Sequence, residues 1–256
     1  MSEAPIFDGD LKVLGAEEEA GVVMMTLESP PQFAGARPGQ FLLASANRPG
    51  APLLGRPLSI LSVEPELRFG FGIVGAGTRV LAEVAAGETV HVVGPLGHPF
   101  PDLADDVLIV TDTSHFGTLL ALAEERDIAG QRLNAVFVTR PDDAPAGAVG
   151  AAEQDSFVLS LFAGVCNDLI ATPLDGLEAA LDEIGPAMIA AGASDTVMAR
   201  LQAYAEARSI PGHAALQAPM ACGIGACLVC IRRLRSGEVI NVCEGPVAPL
   251  DAPVFA

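Results

Sequence analysis

The chain has 256 residues, 50% of them hydrophobic, and carries 14 Lys and Arg against 32 Asp and Glu, a formal net charge of −18. That length allows two domains and a short third module, while so acidic a surface repels phosphate backbones, so no nucleic-acid partner is expected. No apolar run approaches the roughly 20 residues a membrane-crossing helix needs, and residues 1–10 lack the basic and apolar regions of a signal peptide, so a cytoplasmic protein with no membrane span is expected.

Up to about residue 101, short apolar and β-branched runs alternate with Pro- and Gly-rich turn signals. Residues 22–27, 40–44, 58–63, 67–74 and 89–93 are predicted strands, with one helix over 78–85. Strands this short and evenly spaced suggest an antiparallel barrel. After Pro101 the rhythm changes to strand and helix in alternation, with strands predicted at 107–110, 133–138, 157–162 and 187–191 and helices at 115–126, 174–184 and 196–208. Such alternation argues for a parallel α/β sheet. Residues 142–150 read as a loop, and from His213 a small cysteine-bearing unit takes over. The expected fold class is therefore multidomain α+β: a barrel over 1–101, an α/β domain over 102–212 and a module over 213–256.

Within the barrel, Arg56-Pro57-Leu58-Ser59 places an arginine, a rigid turn and a hydroxyl at the start of a strand. The Arg56 fork suits a pyrophosphate, and Pro57 fixes the backbone so that Ser59 can reach the same ligand. Taken alone, the motif equally describes the start of a surface strand. Gly75-Ala76-Gly77-Thr78 opens the predicted helix, where glycine amides and the helix N-terminus could face an anion. An ordinary Thr cap is the alternative there. Gly94-Pro95-Leu96-Gly97 reads as a turn.

Near the C-terminus Cys222, Cys227, Cys230 and Cys243 stand in the spacing C-x4-C-x2-C-x12-C. The first three match the plant-type arrangement of thiolates that hold a [2Fe–2S] cluster. Gly223 and Gly225 supply the backbone freedom a loop needs to wrap a cluster. The competing reading is a structural zinc site, but such sites pair two short C-x2-4-C elements, and only Cys227 and Cys230 form one. Cys166 stands alone and reads as a small buried hydrophobe. His98, His115 and His213 have no carboxylate or Cys at ligand spacing, His91 lies in a predicted strand, and no catalytic residue is assigned.

The order of these pieces carries a resemblance. Pro38-Gly39-Gln40-Phe41, the Arg56–Ser59 and Gly75–Thr78 motifs, Gly94–Gly97 and the cysteines, ending in Val242-Cys243-Glu244-Gly245-Pro246, resemble the electron-transfer subunit of class 1B dihydroorotate dehydrogenase. The resemblance implies a ferredoxin-reductase-like fold: a flavin-binding barrel, a nucleotide-binding-like α/β domain and a [2Fe–2S] module. It implies that Arg56, Pro57, Leu58, Ser59, Gly75, Gly77 and Thr78 bind FAD, and that Cys222, Cys227, Cys230 and Cys243 hold the cluster. It also implies a heteromeric complex with an FMN-containing catalytic dehydrogenase subunit and a place in pyrimidine biosynthesis.

The middle domain departs from that family where a dinucleotide should sit. Where the family carries Gly-Gly-Gly-x-Gly-x-x-Pro, this chain has Thr111-Asp112-Thr113-Ser114-His115-Phe116-Gly117-Thr118. A carboxylate at Asp112 would occupy and repel the anion site that dinucleotide binding uses. The family's Cys-Gly-Pro becomes Ala191-Gly192-Ala193, its Ser-Leu-Glu becomes Ala215-Leu216-Gln217, and Ala163 to Asp168 stand where it has Thr-Asp-Asp-Gly-Ser. NAD(P) is therefore not expected as a cofactor. Ferredoxin, flavodoxin or a quinone are the alternative electron acceptors, and a zinc-containing assembly module without enzymatic activity is the alternative of a different class.

Overall fold

The computed structural model describes residues 5–140 and 150–255. The loop expected over 142–150 lies, apart from Gly150, outside them.

Six strands close the N-terminal barrel: β1 (Phe7–Glu19), β2 (Val22–Leu27), β3 (Phe41–Ala46), β4 (Arg56–Ser62), β5 (Leu67–Gly72) and β6 (Thr89–Leu96). They run in the order β1-β2-β5-β4-β3-β6, all neighbours antiparallel, with β6 pairing back to β1. Closure leaves no strand edge unpaired. Phe33, Leu42, Leu67 and Phe69 fill the interior, and Leu81 of helix α1 (Ala76–Ala82) joins them. The sequence reading missed β1. Only Leu11 and Val13 of its 13 residues are buried and hydrophobic, and it ends in Glu17-Glu18-Glu19, so its signal is faint. Pairing on both edges, to β2 and to β6, holds it extended.

The second sheet contains β7 (Leu108–Thr111), β8 (Asn134–Thr139), β9 (Asp168–Pro173), β10 (Ile189–Gly192), β11 (Gly212–Ala215) and β14 (Val247–Pro249). Its order is β14-β11-β10-β7-β8-β9, parallel except for the β11–β14 pair. The helices are α2 (Phe116–Ile128), α3 (Ala151–Ala163), α4 (Leu177–Ile184) and α5 (Asp195–Arg208). Strand order reverses between β7 and β10, the switch point of an open parallel sheet.

One expected strand is a helix. Residues 157–162 belong to α3, and β9 follows at Asp168–Pro173 instead. A short apolar run does not reveal its period by itself; in the fold, Ala151, Asp155, Val158 and Phe162 form the buried stripe, at helical spacing. Phe162 tilts against Phe137 of β8 with ring centroids 6.3 Å apart.

The 213–256 stretch is interwoven with this sheet, because β11 and β14 are two of its strands. Between them lie the cysteine loop and a two-stranded hairpin, β12 (Ile231–Arg233) and β13 (Val239–Asn241). Among the described residues no helix is long and apolar enough to cross a membrane.

Because Phe162 is fully buried, Phe162→Ala should destabilise the protein by about 3–5 kcal/mol. Ser160→Ala, on the exposed face of α3, should change stability by less than about 0.5 kcal/mol. Urea denaturation of the two variants checks both.

Candidate functional site

Strand β4 pairs with β3 so that Pro57 lies opposite Leu43 and Ser59 opposite Phe41. Alternation along β4 turns Pro57 and Ser59 to one face, and both line a cavity of about 400 Å³. Phe41 and Gly39 come from the barrel, Thr118 from α2, and Leu216, Gln217 and Met220 from the segment after β11. Leu58 does not share that face, since its side chain is buried in the barrel core. Ser59 Oγ and Thr118 Oγ1 lie 2.6 Å apart, a hydrogen bond that joins barrel to sheet domain at the cavity wall. Gly117 permits this approach, because a Cβ there would lie 3.3 Å from Ser59 Cβ.

The two phosphate-clamp candidates come together in space. A Cβ at Gly77 would collide with the Arg56 guanidinium, so only glycine lets that side chain lie across the start of α1. Among the described residues the guanidinium hydrogen-bonds only the Leu54 carbonyl, leaving most of its donor fork free. The Thr78 hydroxyl is engaged within the turn. It accepts from Val74 N and Gly75 N at 3.0 and 3.1 Å and donates to Gly75 O, so it ties the turn together. Gly75 stands at the N-cap in extended backbone.

Around the cysteines, main-chain N–H groups point at sulfur. Gly225 N donates to Cys243 Sγ at 3.1 Å, Cys227 N to Cys222 Sγ at 3.4 Å, and Cys243 N to Cys230 Sγ at 3.4 Å. Hydrogen bonds led by the Ile224 amide lower the Cys222 thiol to about 7, whereas burial raises Cys243 to about 11. Cys222 neighbours Cys227, and Cys243 neighbours both Cys230 and Cys222. Gly223 and Gly225 take φ of +73° and +78°. A Cβ at Gly225 would meet the Glu244 carboxylate at 2.6 Å, and one at Gly223 would meet Leu43 and Leu96 at 2.9 Å. The loop thus rests on the barrel strands β3 and β6. Met220 of the cavity wall is two residues from Cys222, a Cα separation of at most about 7 Å.

Cavity and cysteine loop therefore share the wall formed by β3. Sequence reasoning did not assign Thr118, Gln217 and Met220 to the cavity; Thr118 follows the single glycine at 117, and Gln217 and Met220 lie outside any cofactor-binding motif. Cys166 is partly buried beside the sheet core, and burial pushes its thiol up to about 12. His91 pairs with Asp8 and Asp10, His98 Nδ1 with the Glu244 carbonyl, and His213 is half-buried.

A barrel and parallel sheet in this order, with a cysteine loop between the last two strands of the sheet, define the class of ferredoxin-reductase-like proteins that carry an iron–sulfur domain. The fold matches the structure of an NADH-dependent reduced ferredoxin-NADP oxidoreductase, with TM-score 0.75, 23% identity and coverage of 96% of this chain and 90% of that one. It also matches the ferredoxin reductase of carbazole 1,9a-dioxygenase with TM-score 0.59, at 15% identity over 80% of this chain and 66% of that one. The iron-sulfur cluster binding domain of dihydroorotate dehydrogenase B matches residues 217–252. A dihydroorotate dehydrogenase B (NAD(+)) electron transfer subunit from Shouchella clausii is 30% identical over 241 residues, covering 86% of this chain and 87% of that protein. Its counterpart from Desulforamulus reducens is 28% identical over 94% of this chain and 95% of its own length. The chain belongs to the family of dihydroorotate dehydrogenase B electron transfer subunits.

His115 offers a pH test of the junction. Burial lowers its pKa to about 4, against the opposing pull of Asp112 and Asp195. The folded state keeps it neutral while the unfolded chain binds a proton below the ordinary value of 6.5, so stability present at neutral pH is lost as pH falls toward 4. The loss attributable to His115 should be on the order of 3 kcal/mol. His115→Gln should flatten this part of the profile, measured as urea midpoints from pH 7 down to pH 4.

Proposed function

We propose that this chain binds FAD in its barrel and a [2Fe–2S] cluster in its cysteine loop, and relays electrons between a catalytic dehydrogenase subunit and a further acceptor. The observation that carries this is the seating of the cysteine loop on the barrel strand that also walls the cavity. Redox groups bound at these two places would sit against one wall. The residues fit both groups: Gly77 leaves room for the Arg56 fork that a pyrophosphate needs, and three amide N–H groups are aimed at thiol sulfurs.

When bound, the flavin and the cluster supply the electron storage and transfer; the protein supplies position and potential. Arg56 would hold the FAD pyrophosphate from the start of β4, with charge-assisted bonds that the open turn at Gly75 and Gly77 leaves accessible. Pro57 and Ser59 would face the flavin ring inside the cavity, and Thr118 fixes the Ser59 hydroxyl. Cys222 with Cys227 would hold one iron and Cys230 with Cys243 the other. Amide donors to sulfur stabilise added negative charge and so tune the cluster. Leu58 and Thr78 support the site from the core and the turn.

Ile224, Leu228, Val229 and Ile231, within a few residues of Cys227 in the chain, are all half or more exposed, and an exposed apolar surface of this kind marks a docking face. This face is proposed to meet the FMN-containing dihydroorotate dehydrogenase-type subunit, in the cytoplasm. The functional units would be the barrel over 1–101, the sheet domain over 102–212 and the cluster module over 213–256, with β11 and β14 serving the sheet.

Anaerobically purified protein should show flavin and iron–sulfur absorption together. A colourless, zinc-containing sample would exclude this function. Cys227→Ser should remove the cluster bands while FAD stays bound, since no cavity-lining residue is altered. Arg56→Ala should weaken FAD binding about 10- to 100-fold, the worth of a charge-assisted pair, read by flavin fluorescence on titration.

A further inference from the structure

The sheet's reversal between β7 and β10 is where an open α/β sheet receives a ligand, in the crevice beyond the carboxyl ends of those two strands. Loop amides beyond such strand ends are the groups that take a dinucleotide's phosphates. Here two of them are already occupied. Asp112, at the end of β7 and 4% exposed, accepts Ser114 N–H at 2.8 Å on Oδ1 and Ser194 N–H at 2.8 Å on Oδ2. The Ser114 hydroxyl also donates to Oδ1, and Gln217 Nε2 donates to the Ser114 carbonyl at 2.7 Å. One carboxylate thus joins the loops after β7 and β10.

The neighbouring wall is filled as well. At Gly192, the last residue of β10, a Cβ would lie 2.6 Å from Leu119 and 3.2 Å from the His115 Cβ, so not even a methyl group fits. The start of α5 carries Asp195, whose two oxygens take Arg232 Nη1 and Nη2 at 2.8 and 2.7 Å. Arg232 belongs to the hairpin beside the cluster loop, so the helix end that could face a phosphate faces a carboxylate and its partner from this same chain.

We propose that this crevice is closed by the chain itself, with the Asp112 carboxylate standing where a dinucleotide phosphate would bind, so that neither NAD(H) nor NADP(H) is the electron partner of this protein. The role given to the flavin rests on the function proposed above; the closure of the crevice does not. A phosphate a few ångströms from a carboxylate, at an effective dielectric constant of about 20, is disfavoured about a thousandfold. The chain therefore differs from relatives whose names include NAD(+), and its flavin exchanges electrons with a carrier other than nicotinamide.

Two titrations of the full chain test this. Calorimetry with NAD and NADP should show no saturable binding up to about 1 mM, and NADH or NADPH should leave bound FAD oxidised under anaerobic conditions where dithionite reduces it. Saturable binding of any of these nucleotides below about 1 mM, or rapid flavin reduction by either reduced form, would overturn the proposal. Asp112→Gly releases the two amides and removes the charge, so inorganic pyrophosphate should bind it at least about tenfold more tightly than the parent chain. Equal pyrophosphate binding by a folded variant would show that Asp112 does not close the crevice, and the parent titration decides the matter if the variant does not fold. A chain that purifies without flavin would count against the barrel's proposed cofactor, while the calorimetry would still decide the crevice.

Discussion

Gly223 carries the cysteine loop onto the barrel at a φ of +73°, where a methyl group would collide with Leu43 and Leu96. The placement of the rest depends on this contact. Leu43 sits opposite Pro57 across β3 and β4, so the loop and the cavity lie against one pair of strands. A side chain at position 223 would have to lift the loop away and lengthen the path between the two proposed redox groups. The loop is held from the other direction too. It is bracketed by β11 and β14, and its hairpin is tied to α5 by the Arg232–Asp195 pair. That pair is partly shielded from solvent and bidentate, the geometry in which an ion pair contributes most.

Electrostatics divides the molecule's two ends in a way that net charge does not reveal. Among the described residues most acidic side chains are exposed, but three carboxylates at the carboxyl edge of the sheet are internal ligands. Asp112 takes main-chain amides, Asp155 takes Arg140 and Thr113, and Asp195 takes Arg232. At the barrel, by contrast, Arg56 keeps donors free. The molecule thus offers a cationic fork on one domain and a self-satisfied anionic edge on the other. Anion binding is supported at the first and opposed at the second.

Much of this was legible in the chain. The four-cysteine spacing, the Arg56–Ser59 segment and the Gly75–Thr78 turn are local patterns, and each demands particular residue types at fixed offsets. The barrel strands with dense apolar alternation were also readable. Strand β1 was not, because its acidic, Gly-containing sequence lacks a hydrophobic signal and its extension comes from partners on both edges. Nor was the period of residues 157–162, where an apolar run suited strand and helix equally until the packing against Phe137 selected a helical stripe.

Local chemistry, then, was set by the sequence itself: thiolate spacing, an arginine before a proline, and a carboxylate where glycine would be needed for a phosphate. These depend on neighbours a few residues apart, whose separation the covalent chain dictates. Tertiary structure decided which of these groups meet. It laid Arg56 across Gly77, turned Leu58 into the core, and placed Met220 on the wall of the cavity and Asp112 within reach of Ser194, 82 residues away. Such contacts arise from closing the barrel and reversing the strand order, and neither operation is written in any short stretch of the chain.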